Sequence, residues 1–575
     1  MTGKNEQAHG GPVCALEAAL AFHRAGHVDR ALHAYLSALE IDSGLARAWN
    51  NIGGIFRDWG RVSEAVDCFK KAISADGKMA EAHFNLGYVL EENGQFEAAT
   101  GYYEAALAIR PDDGKALSQL VFLRRSTCLW PGLDEMETRL DALTRIAIDT
   151  GGPLAETPFK SIVRTADTAV NAAVARFWSH AATRRVSAAP PVIRSARRPD
   201  GRIRVGYLSD RFRNAATAHQ MLSLFALHDR KDFVIHAYSY GADDGSRYRR
   251  RIERDCDRFV DLAEMDDEAV ARRIAGDGVD ILVDLKGHTQ NGRLGIGARR
   301  PAPVQVTWLG FPGPVGGRFF DYVICDRIVV PDADRCHFTE CPVRLPHTYY
   351  PTDFRQPVSH EPWHRADFGL PEAAVVLASF NQPLKIDPRM FGCWMTILAD
   401  SPRTVLWLQK KNDTVTANLQ REAAARGVDP DRLVFSGPME KDRHLARIAL
   451  ADLCLDTRIY NGHTTTADAL WVGVPVITLL GRHFASRVSA SLLTALGVPE
   501  LIARDLDGYR DLALGLASDA RARQALRNRI FANRRSMPLF DTPRFVRHLE
   551  AGYRQMWRRH CQGRQPRPFD VEALP

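Results

Sequence analysis

The sequence lacks any long apolar run and any closely spaced pair of cysteines. No stretch of 18 apolar residues occurs in its 575 residues, and its start, MTGKNEQAHGG, has no apolar core of the kind that export signals carry. The ten cysteines are scattered without a C-x-x-C, and the closest pair, Cys336 and Cys341, is too far apart for a zinc knuckle. We therefore expect no membrane span, reduced thiols and a cytoplasmic location.

The sequence also has little net charge for its size and no dinucleotide fingerprint. Lys and Arg number 76 against 69 Asp and Glu, which gives a net charge of +7. This mild basic excess suits a ligand that bears phosphate, but we find no signature for binding nucleic acid. No G-x-G-x-x-G follows the first strand of either strand–helix series described below, which disfavours an oxidoreductase.

The chain is too long for one hydrophobic core, and its first part is a helical repeat. A unit of 34 residues repeats Gly53 as Gly87 and Phe69 as Tyr103, and a further copy lies upstream. This is the tetratricopeptide pattern, in which small residues lie where two helices cross closely and aromatic residues interlock. The sequence predicts an α-solenoid of tetratricopeptide repeats over residues 13–126.

Two asparagines, Asn51 and Asn85, occupy the same position in successive repeats. They fall on the first helix of each pair, which lines the concave face of such a solenoid. An amide both donates and accepts, so it can bind an extended peptide backbone whatever side chains the peptide carries. The alternative, that both are ordinary solvated asparagines, stays open.

Strands and helices alternate in the second part of the chain, after a Pro-, Ser- and Arg-rich segment at 187–201 that we interpret as a linker. Such alternation predicts parallel sheets covered by helices on both faces. We expect a helical connector and linker at 127–201, an N-terminal Rossmann-like domain at 202–365 and a C-terminal one at 366–560. The ligand cleft is expected at the carboxyl ends of the strands.

Polar side chains follow three predicted strands of the second series. The sets are Asn381, Gln382 and Lys385 after VVLASF, Lys441, His444 and Arg447 after LVFSG, and His463, Thr464, Thr465 and Asp468 after CLD. The second set, at i, i+3 and i+6, falls within an arc of about 120° on a helix. The third set opens a helix, where one hydroxyl suffices as a cap, while free N–H groups also suit a phosphate. Together the sets predict a site for a nucleotide diphosphate.

Several longer motifs resemble the O-linked N-acetylglucosamine transferase family with its bacterial members. They are FNQPLKIDP, SPRTVLWL, LADLCLDTRIYNGHTTTADALWVGVPVITLLG, ASRVSASLLTALG, RPAPVQVTWLGFPG and GRIRVGYLSD. The resemblance covers nearly the whole chain and implies a GT-B fold with two Rossmann-like domains. It implies a metal-independent, inverting transferase without a cofactor. Such an enzyme moves N-acetylglucosamine from UDP-N-acetylglucosamine to Ser or Thr of proteins held in the repeat groove.

Carried over by motif, the resemblance also implies site residues. The implied donor-binding residues are Gln382, Lys385, Lys441, His444, Arg447, His463, Thr464, Thr465, Asp468, Leu309 and Gly310. Lys385 is expected to offset the charge of the leaving diphosphate, as a metal does in other transferases. Arg293, with Asn51 and Asn85, is a candidate for binding the acceptor. D-x-D triplets at 255–257 and 332–334 are short enough to arise by chance, and we assign no metal.

One loop departs from the family's pattern. Where the family has Asn-His-Pro-Thr after the first catalytic strand, this chain has Asn214-Ala215-Ala216-Thr217, so Ala215 replaces the loop histidine. His219, one helical turn further on, is a candidate general base because imidazole is the usual proton acceptor near neutral pH. A structural histidine at a helix start is an equal alternative, so the identity of the base stays open.

Two other functions stay open at this point. In the first, the repeats are a protein-binding scaffold and the catalytic half is inactive, which Ala215 favours and the intact Lys385 disfavours. In the second, the transferase uses another nucleotide sugar, or a glycan or small-molecule acceptor. A superhelical groove suits an extended chain, which argues against the non-protein acceptors. The sequence does not identify the donor sugar, the acceptor protein or the oligomeric state.

Overall fold

The structure, a computed structural model, describes residues 12–186 and 201–574, so the predicted linker at 187–201 lies, except for its last residue, outside the described residues. By its internal contacts the chain divides into two compact units, with the boundary after Ala155. That boundary falls inside the segment 127–201 that the sequence assigns to a connector. The segment is therefore shared between the two units.

Helices packed in successive pairs build the first unit. They are α1 (Pro12–Arg24), α2 (Val28–Ile41), α3 (Ala46–Asp58), α4 (Val62–Ala75), α5 (Ala80–Glu92), α6 (Phe96–Ile109), α7 (Gly114–Ser126) and α8 (Leu133–Thr150). Phe69 and Tyr103 are fully buried, and a Cβ atom added to Gly53 would lie 2.7 Å from the Phe69 ring. The predicted solenoid of tetratricopeptide repeats is confirmed.

Two parallel sheets build the second unit. The strands of the first sheet are β1 (Ile203–Ser209), β2 (Phe233–Ser239), β3 (Arg258–Asp261), β4 (Ile281–Asp284), β5 (Val304–Thr307), β6 (Tyr322–Cys325) and β7 (Cys341–Arg344). Those of the second are β8 (Val375–Ser379), β9 (Thr404–Gln409), β10 (Leu433–Ser436), β11 (Leu453–Leu455), β12 (Val476–Leu479) and β13 (Ile502–Ala503). A last strand, β14 (Phe569–Asp570), returns to the first sheet beside β7.

Helices connect these strands and cover the sheets. They are α9 (Pro158–Arg164), α10 (Thr168–Val186), α11 (Ala216–Met221), α12 (Leu224–Leu227), α13 (Arg247–Asp255), α14 (Asp267–Gly276), α15 (Leu294–Ala298), α16 (Pro388–Asp400), α17 (Asp413–Ala425), α18 (Lys441–Ile448), α19 (Thr464–Trp471), α20 (Val488–Ala495), α21 (Leu506–Ser518), α22 (Ala520–Ser536) and α23 (Thr542–Cys561). Every residue of β1 and of β4 is buried, as expected for a sheet covered on both faces.

The two sheets share one strand order. The first runs β3-β2-β1-β4-β5-β6-β7 and the second β10-β9-β8-β11-β12-β13, and every strand pairing within the described residues is parallel. The order reverses between the first and fourth strands of each series, at β1/β4 and at β8/β11. Ligands of open parallel sheets bind at this reversal, outside the carboxyl ends of the strands. The two Rossmann-like domains are thus confirmed, and the topology marks where each has its crevice.

The last long helix, α23, packs against the first sheet although it follows the second in the chain. Glu550, on α23, accepts a hydrogen bond from His228 Nδ1, 3.0 Å away. The sequence assigns α23 to the domain at 366–560, and only the tertiary contacts reveal its return. A second link joins the halves where Ser491 Oγ, on α20, donates to Asp326 Oδ2 (2.7 Å), just after β6.

All ten cysteines lie in the described residues and have free thiols. Among the helices of residues 12–186 and 201–574, none combines the length and apolarity that a bilayer crossing requires.

The close helix crossing in the repeats predicts opposite effects on stability when one or the other of two glycines is replaced by alanine. A Cβ at Gly87 would lie 2.9 Å from the Tyr103 ring and 3.2 Å from Ala99 O, whereas a Cβ at Gly101, on α6, meets nothing within 4 Å. We expect Gly87→Ala to lower the free energy of unfolding by about 1–3 kcal/mol through overpacking. Gly101→Ala should raise it by about 0.5–1 kcal/mol. Denaturant unfolding followed by circular dichroism measures both, and stabilisation by both substitutions would contradict the close crossing.

Candidate active site

Residues of the predicted donor site meet where β8 and β11 lie side by side. Lys385 ends a 3-10 turn, Pro383–Lys385, that follows β8, while His463 and Thr464 open α19 after β11. Because β8 and β11 are paired in the sheet, the segments that follow them share one crevice. The link is direct, since Lys385 Nζ donates to Asn461 O (2.8 Å).

A buried carboxylate, Asp456, fixes the segments around this crevice. Its Oδ1 accepts from Asn381 Nδ2 (3.1 Å) and Gly462 N (2.6 Å), and its Oδ2 accepts from Thr478 Oγ1 (2.7 Å). Asn381 Oδ1 in turn accepts from Thr465 Oγ1 (2.8 Å). Burial raises the pKa of Asp456, although these hydrogen bonds oppose the shift. Asp456 is not among the residues predicted from the sequence, yet its place directly after the buried run LCL is a signal that points to it.

Lys385 and His463 lie against one aromatic ring, that of Tyr460. The Lys385 ammonium is 4.3 Å from the ring centroid, and the His463 ring stacks on Tyr460 with centroids 4.9 Å apart. Burial lowers the pKa of Lys385 to about 8, and the nearby Asp456 opposes the shift. Burial, followed by the Lys385 charge, holds the pKa of His463 well below its usual value, so this imidazole is neutral at pH 7. Of Lys385 and His463, only Lys385 is therefore positively charged at pH 7.

Three of the predicted residues share α18. Lys441 forms a buried ion pair with Asp468 on α19. Arg447 Nε donates to His444 Nδ1 (3.0 Å), and its guanidinium lies 4.9 Å from the centroid of the Phe380 ring. Burial, together with the charges of Arg447 and Lys441, lowers the pKa of His444 to about 3, so this imidazole is neutral as well. Of the three predicted residues on α18, Lys441 and Arg447 therefore carry the positive charges.

Two side chains of the first Rossmann-like domain also contact the start of α19. Gln220, on α11, donates from Nε2 to Thr464 Oγ1, and Tyr350 OH lies 3.0 Å from that oxygen. Neither residue was singled out from the sequence, because neither lies in a motif that suggests a ligand. The carboxyl edges of the two sheets thus face each other across the start of α19.

His219 lies beside Gln220 and is close enough to Lys441 to feel its charge. Its Nε2 is 2.8 Å from Asn214 Oδ1, and since that oxygen only accepts, Nε2 donates and Nδ1 keeps the lone pair. Burial, with the charges of Lys441 and Arg247, lowers the pKa of His219 to about 3. His219 is therefore a neutral imidazole near Lys441, with low basicity in the free protein.

The remaining predicted donor residues are placed differently. Gln382 is exposed at the start of the turn that holds Lys385. Leu309 and Gly310 follow β5 of the first domain, where Leu309 has φ +74° and Gly310 N donates to Trp308 O (2.9 Å). This tight turn is a strained conformation for a leucine. A Cβ on Gly310 would lie 2.0 Å from Leu285 O, so only glycine fits beside the end of β4.

Arg293 lines a cleft of about 640 Å³ in the second unit, bordered by α10 and by the starts of α14 and α15. Its Nε donates to Asp267 Oδ1 (2.7 Å) and its Nη2 to Met265 O (2.7 Å). Its guanidinium also lies 5.4 Å from the Tyr240 ring centroid. The side chain is therefore a fixed part of the cleft wall rather than a mobile charge.

In the repeat unit, both predicted asparagines are half-buried and bonded to neighbouring repeats. Asn51 Nδ2 donates to Tyr35 OH (3.0 Å), and Asn85 Nδ2 donates to Asn50 Oδ1 (2.9 Å). These bonds fix the orientation of each amide. A side chain held in this way loses little further freedom when its oxygen accepts from a peptide N–H.

The described residues contain no group of three or more His, Cys, Asp and Glu placed to hold a metal ion. Carboxylates of both D-x-D triplets bind arginines: Asp255 accepts from Arg251 Nε (2.7 Å) and Asp332 from Arg344 Nη1 (2.7 Å). Independence from metal remains a prediction.

Known proteins resemble this chain over both units. The sequence profile of glycosyl transferase family 41 matches residues 188–364 and 363–549, and a tetratricopeptide repeat profile matches 16–77 and 56–114. The probable UDP-N-acetylglucosamine–peptide N-acetylglucosaminyltransferase SEC of Arabidopsis thaliana is 35% identical over 469 residues, 79% of this chain and 48% of that protein. The UDP-N-acetylglucosamine–peptide N-acetylglucosaminyltransferase of Caenorhabditis elegans is 30% identical, over 63% of this chain and 41% of that protein.

A solved structure is similar over almost the full length. A mutant of the Thermobaculum terrenum O-GlcNAc transferase aligns with a TM-score of 0.68 and 29% identity, over 98% of this chain and 100% of that one. The chain spans less than half the length of the two curated relatives above.

The lowered pKa of Lys385 predicts that anion binding depends on pH. The amine is charged below a pH of about 8 and loses its charge above it, and a bound diphosphate favours the charged form. We expect the affinity for uridine diphosphate, measured by titration calorimetry, to fall between pH of about 7 and about 9. Lys385→Arg, which stays charged, should flatten this fall. A fall of the same size in the Arg variant would assign the pH dependence to another group.

Proposed function

This chain belongs to glycosyl transferase family 41, and we propose that it transfers N-acetylglucosamine from UDP-N-acetylglucosamine to Ser or Thr hydroxyls of protein acceptors. The proposal depends on one observation: the Lys385 ammonium lies next to the hydroxyl-rich start of α19, in the β8/β11 crevice. The names of the similar proteins support the choice of donor and of a peptide acceptor.

In this proposal, Lys385 and the start of α19 hold the diphosphate of the donor. The first turn of a helix offers free N–H groups and partial positive charge, and the Thr464 and Thr465 hydroxyls add directional donors. Negative charge grows on the diphosphate as the sugar leaves. A Lys385 ammonium already fixed by Asn461 O stabilises that charge without reorganising, so it lowers the barrier more than it strengthens ground-state binding.

The α18 side of the crevice takes the nucleoside. Asp468 accepts from a ribose hydroxyl. Its ion pair with Lys441 positions the carboxylate and opposes the rise in its pKa that burial causes. His444 and Arg447, which lie against Phe380, contribute a flat polar surface for the base. Gln382, exposed at the mouth, is free to reach the phosphates.

The transfer is an inverting displacement. The acceptor oxygen bonds to the anomeric carbon while the bond from that carbon to the phosphate oxygen breaks, and the hydroxyl proton passes to a base. His219 is our candidate base, because its Nδ1 keeps a lone pair and the residue lies near Lys441 of the proposed donor site. Its pKa of about 3 makes it a weak base in the free protein, and the negative charge of a bound diphosphate raises that pKa. Leu309 and Gly310 border the sugar, and no cofactor is required.

The acceptor is held in two places. The cleft lined by Arg293 takes the segment next to the reacting hydroxyl, since its volume of about 640 Å³ suits several residues of an extended chain. The repeats bind another part of the acceptor through Asn51 and Asn85. Backbone recognition of this kind accepts many different sequences.

Turnover with a protein acceptor tests the role of Lys385 and the independence from metal together. We expect wild-type protein to transfer sugar from UDP-N-acetylglucosamine in excess EDTA. Lys385→Ala should lower kcat about 10²- to 10³-fold, because it removes the charge that meets the leaving diphosphate. The measurement is the rate of incorporation of labelled sugar into the acceptor.

Lys410→Ala is the matched control, since Lys410 is an exposed lysine of the same domain that pairs with Asp413 (2.9 Å), and it should keep full turnover. Activity lost in EDTA and restored by Mg²⁺ or Mn²⁺ would contradict metal independence. Near-normal turnover of Lys385→Ala would remove the proposed role, and turnover with a different nucleotide sugar alone would change the assigned donor.

The repeats are tested by the double variant Asn51→Ala/Asn85→Ala. We expect weaker transfer to a protein acceptor, with KM raised several-fold, because each lost hydrogen bond is worth roughly 0.5–1.5 kcal/mol. Slow hydrolysis of the donor by water should hardly change, since the donor site lies in the other unit. Asn93→Ala, an exposed asparagine that follows α5, is the control and should behave as wild type. Equal loss of transfer and hydrolysis would show that the two amides serve stability instead.

A further inference from the structure

We propose that Gln220 and Tyr350 are positioning residues that aim the Thr464 hydroxyl at the donor's diphosphate. Both come from the first Rossmann-like domain, whereas Thr464 begins α19 of the second. The inference rests on the proposed function, because it assumes that a nucleoside diphosphate binds at the start of α19. It assigns a part in binding to two residues outside the motifs that suggested the site.

The Thr464 hydroxyl makes a limited number of hydrogen bonds. Thr464 Oγ1 has two lone pairs and one proton. The Gln220 Nε2 group can only donate, so its bond to Thr464 Oγ1 uses one lone pair. If Tyr350 OH donates as well, the second lone pair is used and the Thr464 proton must go to a third partner.

A diphosphate oxygen fits the place of this third partner. Such an oxygen only accepts, so it binds the Thr464 hydroxyl only when the proton points toward it. Gln220 and Tyr350 then act as two fixed donors behind the hydroxyl. The orientation is set in advance, so that binding does not have to restrict a freely rotating group.

The two donors are themselves held in place. Gln220 lies on α11 between Ala218 and Met221, both fully buried, so the backbone that carries its amide is anchored in the first domain. Tyr350 is 2% exposed, and burial holds the pKa of its phenol well above the usual value, so it keeps its proton. The N-cap position of α19 is His463, which makes no side-chain capping bond, and Thr464 is the first residue of the helix.

The contacts also cross between the domains. Thr464 is oriented only when the edge of the first sheet is close to the start of α19. The affinity for a diphosphate therefore depends on how closely the two domains approach each other, as well as on the residues of the second domain.

A double-mutant cycle on the full chain tests the proposal, with titration calorimetry of uridine diphosphate as the measurement. Gln220→Met keeps the length of the side chain and removes the donor, and we expect it to weaken binding about 3- to 10-fold. Thr464→Val should weaken binding by at least as much. The double variant should bind no more weakly than Thr464→Val alone, because Gln220 acts only through that hydroxyl. Tyr350→Phe should follow the same pattern.

Ser223→Ala is the matched control. It removes a buried hydrogen bond to Asp353 Oδ1 (2.6 Å) one turn beyond Gln220 without touching Thr464, so uridine diphosphate affinity should be unchanged. Additive losses in the double variants, or unchanged affinity in both Gln220→Met and Tyr350→Phe, would overturn the positioning role while leaving the proposed function intact. Wild-type protein that fails to bind uridine diphosphate would overturn both.

Discussion

The buried carboxylate of Asp456 is the constraint on which the crevice depends. It lies directly after β11 and accepts hydrogen bonds from Asn381, Gly462 and Thr478, which belong to three separate segments of the second domain. Loss of this acceptor would leave three buried donors unsatisfied, each at a cost of about 1–3 kcal/mol. The position of Lys385, whose ammonium binds the carbonyl of the adjacent Asn461, follows from this arrangement.

Burial sets the electrostatics of the site. It lowers the pKa of His219, His444 and His463, so the histidines act as neutral polar groups at pH 7. Among the predicted donor-binding residues, Lys385, Lys441 and Arg447 carry the positive charge. The exclusion of water that makes a lysine less basic also strengthens its attraction for a diphosphate, because the local dielectric constant is low. One physical cause thus weakens the histidines as bases and strengthens Lys385 as an electrostatic partner.

The strand order explains why residues from distant parts of the chain form one site. In both sheets the winding reverses between the first and fourth strands, and the segments after β8 and β11 meet at that point. The return of α23 to the first sheet, through Glu550 and His228, and the bond from Ser491 to Asp326 then join the two halves. The crevice lies between edges that these contacts bring together.

The sequence by itself determined the repeats and the two parallel sheets, and it predicted most of the residues that meet at the β8/β11 crevice. Each of these features has a local signal in the sequence: a period of 34 residues, alternating apolar runs, or polar residues directly after a buried strand. The tertiary structure alone decided the place of α23, the central role of Asp456, the stacking of His463 on Tyr460 and the contact of Gln220 with Thr464. Gln220 and Thr464 are 244 residues apart in the chain. A hydrogen bond across that separation depends on how two domains pack, and no periodicity within either segment records it.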